Sequence, residues 1–208
     1  MEHLLVAPPH ARVLYVLAHG AGAGMKHPFL DRIAQTLASK SIATFRYEFP
    51  YMQSGKSRPD PPAVAEAAVR QAVVEAARVA PGVPIIAGGK SFGGRMTSQA
   101  QSSQPMPGVR GLVFLGFPLH PPGRPGISRA EHLTSVDVPM LFLQGTRDEF
   151  ATLDLLRGVV QPLGSRATLH LIEEGDHSFK VPKRTGKTER DILEELATTI
   201  QQWADKHV

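Results

Sequence analysis

The sequence contains no cysteine. That excludes disulfide frameworks, thiolate zinc sites and cysteine nucleophiles, and makes the reducing cytoplasm the expected location. No stretch approaches the ~18 uninterrupted apolar residues that a membrane span requires. Met1 to Pro8 lack the positive charge and long apolar run of a secretory signal, so none is expected there. Neither sign of charge dominates, since 23 Lys and Arg against 19 Asp and Glu leave a formal charge of +4. The densest basic run, Lys180, Lys183, Arg184, Lys187 and Arg190, has no interleaved aromatics on which bases could stack. It reads as a solvated loop, and neither a nucleic-acid nor a membrane partner is expected. What remains is the composition of one globular domain: 208 residues, 42% of them apolar, enough to bury roughly 70% of the unfolded surface without a staple.

Apolar runs of strand length recur at Arg12–Ala18, Ala43–Tyr47, Val83–Ala87, Gly111–Leu115, Met140–Gln144 and Thr168–Ile172. Their cores, such as Leu-Val-Phe-Leu and Met-Leu-Phe-Leu, are near-continuous rather than alternating, as in strands buried on both faces of a parallel sheet. Amphipathic stretches predict helices at Phe29–Ser39, Pro62–Ala80, Phe92–Ser102, Thr152–Leu163 and Glu189–Ala204. The alternation predicts a single α/β domain over residues 1–208, a doubly wound and mostly parallel sheet of six to seven strands with helices on both faces. Gly116 to Asp137, rich in Pro and Gly, is expected to be a long functional loop over the sheet edge, too short for a cap domain.

Ligands of such sheets bind beyond the carboxyl ends of the strands, so the residues after each strand carry the most information. The third strand is followed by Gly89-Lys90-Ser91-Phe92-Gly93, which opens directly into a helix. A sharp strand-to-helix turn exposes the serine hydroxyl, and small flanking residues relieve the crowding. The plainer role for Ser91 is a helix N-cap. Asp148 follows the fifth strand and His177 the sixth. A serine nucleophile needs a base, and that base needs a carboxylate to fix its tautomer; Ser91, His177 and Asp148 supply all three at one sheet edge. Alone, Asp148 could be a turn residue and His177 a surface histidine.

Among competitors, Asp176 adjoins His177 but neighbouring side chains diverge, and Glu149 is the reserve acid. His120 in the long loop is a candidate substrate contact. After the first strand, His19-Gly20-Ala21-Gly22-Ala23-Gly24 can present backbone N–H groups to an oxyanion. Ala21 is the expected first donor, with Gly22 in reserve as donor or substrate contact. Phe92, after the nucleophile, is the second. His19 is expected to brace this loop by hydrogen bonding.

At these residues the chain resembles the α/β-hydrolase superfamily, in particular its small lidless branch of predicted hydrolases with testis-expressed-protein-type and chromatin-complex-subunit-type relatives. It is distantly similar to dienelactone hydrolases. The resemblance runs through His19-Gly-Ala-Gly-Ala-Gly-Met25, Gly88-Gly-Lys-Ser-Phe-Gly-Gly-Arg95, Gly116-Phe-Pro-Leu-His-Pro-Pro-Gly123, Gln144-Gly-Thr-Arg-Asp-Glu-Phe150 and Gly175-Asp-His-Ser178. It implies Ser91 as nucleophile, Asp148 as acid and His177 as base, with Lys90 and Arg95 as marks of this branch rather than of lipases. It also implies a sheet without the first antiparallel strands of larger relatives.

The expected activity is hydrolysis of a small ester or thioester through an acyl-enzyme, on a small-molecule acyl substrate, with no cofactor and no metal. Two other enzyme-type readings fit less well. A phosphate loop ending at Gly89-Lys90-Ser91 would need glycine at Pro84, inside a strand. Dinucleotide binding through Gly20 and Gly22, with Glu48 on the ribose, has Met25 where the third glycine belongs. A non-catalytic scaffold that kept the fold is the alternative outside enzymology.

Overall fold

The computed structural model describes Met1–Val208. Seven strands form one sheet in the order β1-β3-β2-β4-β5-β6-β7: β1 His3–Val6, β2 Val13–Ala18, β3 Ile42–Tyr47, β4 Ile85–Lys90, β5 Val109–Leu115, β6 Met140–Gly145 and β7 Ala167–Ile172. All neighbours are parallel except β1, which pairs antiparallel with β3, His3 opposite Tyr47 and Val6 opposite Thr44. This edge strand lies ahead of the first strand expected from the sequence and supplies one antiparallel strand at the start, where the resemblance implied that the first antiparallel strands of larger relatives are lacking.

The helices are α1 Pro28–Ala38, α2 Pro50–Gln53, α3 Pro62–Val79, α4 Phe92–Ser103, α5 Leu153–Val160 and α6 Glu189–His207. Strand residues alternate between two cores, as burial on both faces requires. Leu14, Val16, Phe114 and Phe142 join Val69, Val73 and Met96 on the α3 and α4 side. Tyr15, Leu17, Leu115 and Leu143 join Ile33, Leu37, Leu196, Ile200 and Trp203 on the α1 and α6 side. Each fully buried Leu or Ile stabilises the fold by roughly 1.5–3 kcal/mol. The shared apolar stripe of α1 and α6 therefore holds that layer in place. Gly111 in β5 is part of the fit, because a Cβ there would lie 2.5 Å from the Trp203 ring. No helix is long and apolar enough to cross a membrane.

Two elements differ from the sequence expectation for local reasons. Helix α5 stops at Val160 and tightens into a 3₁₀ segment, Gln161–Arg166, because Pro162 cannot continue an α-helix and Gly164 adopts φ 60°. Gly116 to Asp137 is no open loop: Ser128–Ser135 forms a 3₁₀ helix that buries Ala130 and Leu133 beside α4.

Strand order reverses between β2 and β4, since β2 is followed in the chain by β3 on one side and β4 lies on the other. This switch point opens a crevice beyond the carboxyl ends of β2 and β4, between the Gly20–Gly24 loop and the start of α4.

Candidate active site

Strand β4 delivers Ser91 into that crevice at φ 50° and ψ −115°, a conformation that costs a non-glycine residue about 1–3 kcal/mol. The neighbouring glycines are dictated by close approach. A Cβ at Gly88 would lie 1.9 Å from the Val113 carbonyl oxygen, and one at Gly93 would lie 2.5 Å from the His19 carbonyl oxygen. Ser91 stands at the N-cap of α4, yet its side chain makes no capping hydrogen bond. Its hydroxyl instead donates to Nε2 of His177 at 2.8 Å.

His177 Nδ1–H donates to Oδ2 of Asp148 at 2.7 Å, which fixes the tautomer that leaves Nε2 as acceptor. Asp148 is 4% exposed and fully engaged. Oδ2 also accepts from the Gln144 amide at 2.5 Å, and Oδ1 accepts from the Phe150 N–H at 2.8 Å. The turn role open to Asp148 is thus filled by the same carboxylate that holds the imidazole. Burial lowers the pKa of His177 from its ordinary range, against the raising effect of the bond to Asp148; Lys90 lowers it further. The resting imidazole is neutral near pH 7 and free to take a proton.

The loops after β6 and β7 meet because a Cβ at Gly145 would sit 2.2 Å from the Gly175 carbonyl oxygen, a contact only glycine permits. Arg147 N–H seals the join by donating to Gly175 O at 2.8 Å. Asp176 turns its carboxylate to the N–H groups of Ser178 and Lys180, away from the imidazole, as divergence of neighbouring side chains predicts. Glu149 is exposed and makes no bond to His177.

On the opposite wall, the N–H groups of Ala21 and Phe92 make no hydrogen bond within the protein, and that of Phe92 is the first of α4, where the helix dipole favours negative charge. His19 braces this loop: Nδ1–H donates to Gly20 O at 2.7 Å and Nε2 accepts from Phe49 N–H at 3.2 Å. Glu48 adds a second brace by accepting from Met25 N–H at 3.3 Å. A cavity of about 290 Å³ lies over the serine, lined by Ala21, Ala23, Phe29, Leu30, Phe150 and His177 among others.

Two expected contacts are corrected by the geometry. Gly22 cannot serve as a donor, because its N–H is taken by the Tyr51 hydroxyl at 2.9 Å, and it is absent from the cavity wall. His120 is 3% exposed and structural: Nδ1–H donates to Pro121 O and Nε2 accepts from Thr152 N–H. No residue of the Gly116–Asp137 segment lines the cavity.

A second serine–histidine contact, Ser98 Oγ to His132 Nε2 at 2.7 Å, is of a different kind. Ser98 is fully buried in α4, its hydroxyl also reaches the Arg95 carbonyl, and no carboxylate bonds His132. Burial and the neighbouring Arg95 push His132 down to about 4, so it stays neutral as a packing group.

Sequence reasoning overlooked Gln144, which reads there as the end of an apolar strand. Its signal was a polar residue closing a strand buried on both faces. Phe150 was likewise overlooked; its ring stacks on the His177 imidazole, centroids 4.2 Å apart.

A family model described as an alpha/beta hydrolase domain matches residues 11–205. Solved structures share the fold at low identity. A dienelactone hydrolase from Anabaena variabilis is 19% identical with a TM-score of 0.77, over 99% of this chain and 91% of that one. An α/β serine hydrolase without a lid, from Xanthomonas campestris, is 18% identical with a TM-score of 0.75, over 97% and 88%. A cold-adapted esterase from an Arctic intertidal metagenomic library is 16% identical with a TM-score of 0.69, over 96% and 87%.

Proposed function

The chain belongs to the alpha/beta hydrolase domain family, and from that premise we propose that it is a serine hydrolase of small carboxylic esters or thioesters, acting through an acyl-enzyme. The observation that carries this reading is the unbroken hydrogen-bonded path from Asp148 through His177 to Ser91, ending at a hydroxyl on the floor of a cavity. The lidless serine hydrolase and the esterase among the similar structures lend it support.

In the first half-reaction Nε2 of His177 takes the Ser91 proton as Oγ attacks the acyl carbon. The carbonyl oxygen becomes an oxyanion between the N–H groups of Ala21 and Phe92. Asp148 stabilises the imidazolium, which then hands its proton to the departing alcohol or thiol. Water, deprotonated by His177, attacks the acyl carbon, and Ser91 Oγ leaves and recovers its proton. One oxyanion donor is worth about 3 kcal/mol, or 10²–10³ in rate.

The cavity volume of about 290 Å³ lies at the low end for ligand sites, which supports a short acyl group. A cysteine-free chain also fits the cytoplasmic location that this proposal carries with it. The test is hydrolysis of p-nitrophenyl acetate together with labelling by a fluorophosphonate. Wild type should turn over the ester and take one label on Ser91, and Ser91→Ala should lose both, turnover by about 10³-fold or more. A Ser91→Ala protein with near-wild-type turnover would overturn the assignment. Across a p-nitrophenyl ester series, kcat/KM should fall as the acyl chain lengthens beyond a few carbons.

A further inference from the structure

Lys90 immediately precedes the nucleophile, and nothing in the acyl-transfer steps uses it. Its Nζ is buried and has no hydrogen-bond acceptor in the protein. The chain brings Nζ near the imidazole rather than out to solvent, and the residue also lines the cavity over Ser91. A methyl group at Gly116 would lie 3.0 Å from Lys90 Nζ, 3.4 Å from the His177 carbonyl oxygen and 3.5 Å from His177 Cε1. At most about 6.5 Å thus separates the ammonium from the imidazole edge, a range over which a neighbouring charge moves a proton affinity. The ring of Phe179, from the loop after His177, lies 5.6 Å below the ammonium and closes that side. A buried cation with three unmet protons is expensive to keep. Ordinary packing at this position would select Met or Leu.

We propose that Lys90 is a positioning residue that acts through His177: its charge, close to the ring, adds to burial in disfavouring the imidazolium and so shifts the lowest pH at which the site works. The proposal rests on the reading of Ser91, His177 and Asp148 as the catalytic groups. The charges around His177 divide by direction. Asp148, from the loop after β6, and Asp176, beside His177 itself, favour its protonated form; Lys90, at the end of β4, opposes it. His27 lies across the cavity, and Phe150 and Phe179 present only carbon. Burial is the largest influence lowering the base, and Lys90 is the one cationic side chain that joins it against the two carboxylates. Burial in turn lowers Lys90 from its ordinary 10.5 to about 8, with Asp148 and Asp176 pulling the other way. It is charged over the range in which His177 titrates and loses that charge only above it.

The test is the pH profile of kcat/KM for p-nitrophenyl acetate in wild type, Lys90→Met and Lys90→Arg. Lys90→Met removes the charge at nearly constant volume, so its acid limb should move to higher pH. Lys90→Arg keeps the charge and should leave the limb near the wild-type position. A limb in Lys90→Met that superimposes on wild type overturns the proposal, and so does one that moves equally in both variants. Should Lys90→Met fail to fold, the wild-type protein decides through the NMR titration of the His177 Cε1–H. Two inflections, the upper near pH 8, sustain the proposal, and a single step overturns it. Ser91→Ala separates this idea from the reading beneath it. Turnover surviving there refutes the triad itself, whereas turnover lost there with an unmoved limb in Lys90→Met refutes only the role of Lys90.

Discussion

The Phe150 ring lies against the His177 imidazole with centroids 4.2 Å apart and planes inclined by 30°. The same residue donates its N–H to Asp148 Oδ1, so one position both anchors that carboxylate and shields the imidazole. Phe150→Ala should keep the backbone bond and lose the stack. Aromatic pairs are worth about 0.5–1.5 kcal/mol, so kcat/KM should fall by up to about tenfold. Better hydration of the ring relieves the burial that lowers its pKa, and the acid limb of the pH profile should therefore rise. Ester assays across pH check both effects.

The two serine–histidine contacts give opposite outcomes. Ser98→Ala should leave p-nitrophenyl acetate turnover within about twofold of wild type, because Ser98 is sealed inside α4. It should cost roughly 1 kcal/mol of stability, the net value of one buried hydrogen bond. Denaturant melts and initial rates on that single variant are sufficient.

Gly93→Ala tests the seam between the elbow and the Gly20–Gly24 loop. Its Cβ would meet the His19 carbonyl oxygen at 2.5 Å, and neither side is a flexible side chain that could step aside. Overpacking of this kind costs about 1–3 kcal/mol. The prediction is a lowered melting temperature together with reduced turnover, since the loop carrying Ala21 must move. A variant with wild-type values for both would show that the seam has slack.

Lys90 also has a stability signature. With its pKa lowered to about 8 from 10.5, the folded chain binds fewer protons than the unfolded chain between those values, so its stability rises with pH across that window. Below about pH 8 the buried charge is a net cost of up to about 3 kcal/mol. Lys90→Met should thus melt above wild type at pH 7, with the gain shrinking as pH rises toward 10. A lysine kept only for packing would give the reverse result on removal.

The central strands and five helices were legible because continuous Leu-Val-Phe-Leu runs admit only a sheet covered on both faces. Where the reading fell short, a tertiary contact had overruled local grammar. Strand β4 runs on through Gly88 and Gly89 to Lys90, although glycine normally marks a strand's end, because Val113 and Ala18 approach too closely for any side chain. The Gly116–Asp137 segment looked like a functional loop from its prolines, yet Phe117, Leu119, Ala130, Leu133 and Val136 are buried and only Ile127 among its larger apolar side chains is exposed. At the site, the meeting of Ser91, Asp148 and His177 was legible because each lies in the turn or loop that follows a strand. His120 and Gly22 were misplaced because a loop sequence does not tell which of its polar groups are already satisfied by Thr152, Pro121 or Tyr51.

The contact of Gly145 with Gly175 joins the loops of two adjacent strands into a single bracket bearing both Asp148 and His177, while Ser91 rides on β4, separated from that bracket by β5. Flexing of the sheet then leaves the carboxylate–imidazole pair intact and falls on the one joint that spans the two bodies, the hydroxyl-to-nitrogen gap. Temperature or pressure should accordingly tune how often the Ser91 hydroxyl is in range, and hardly touch how well the imidazole is aimed.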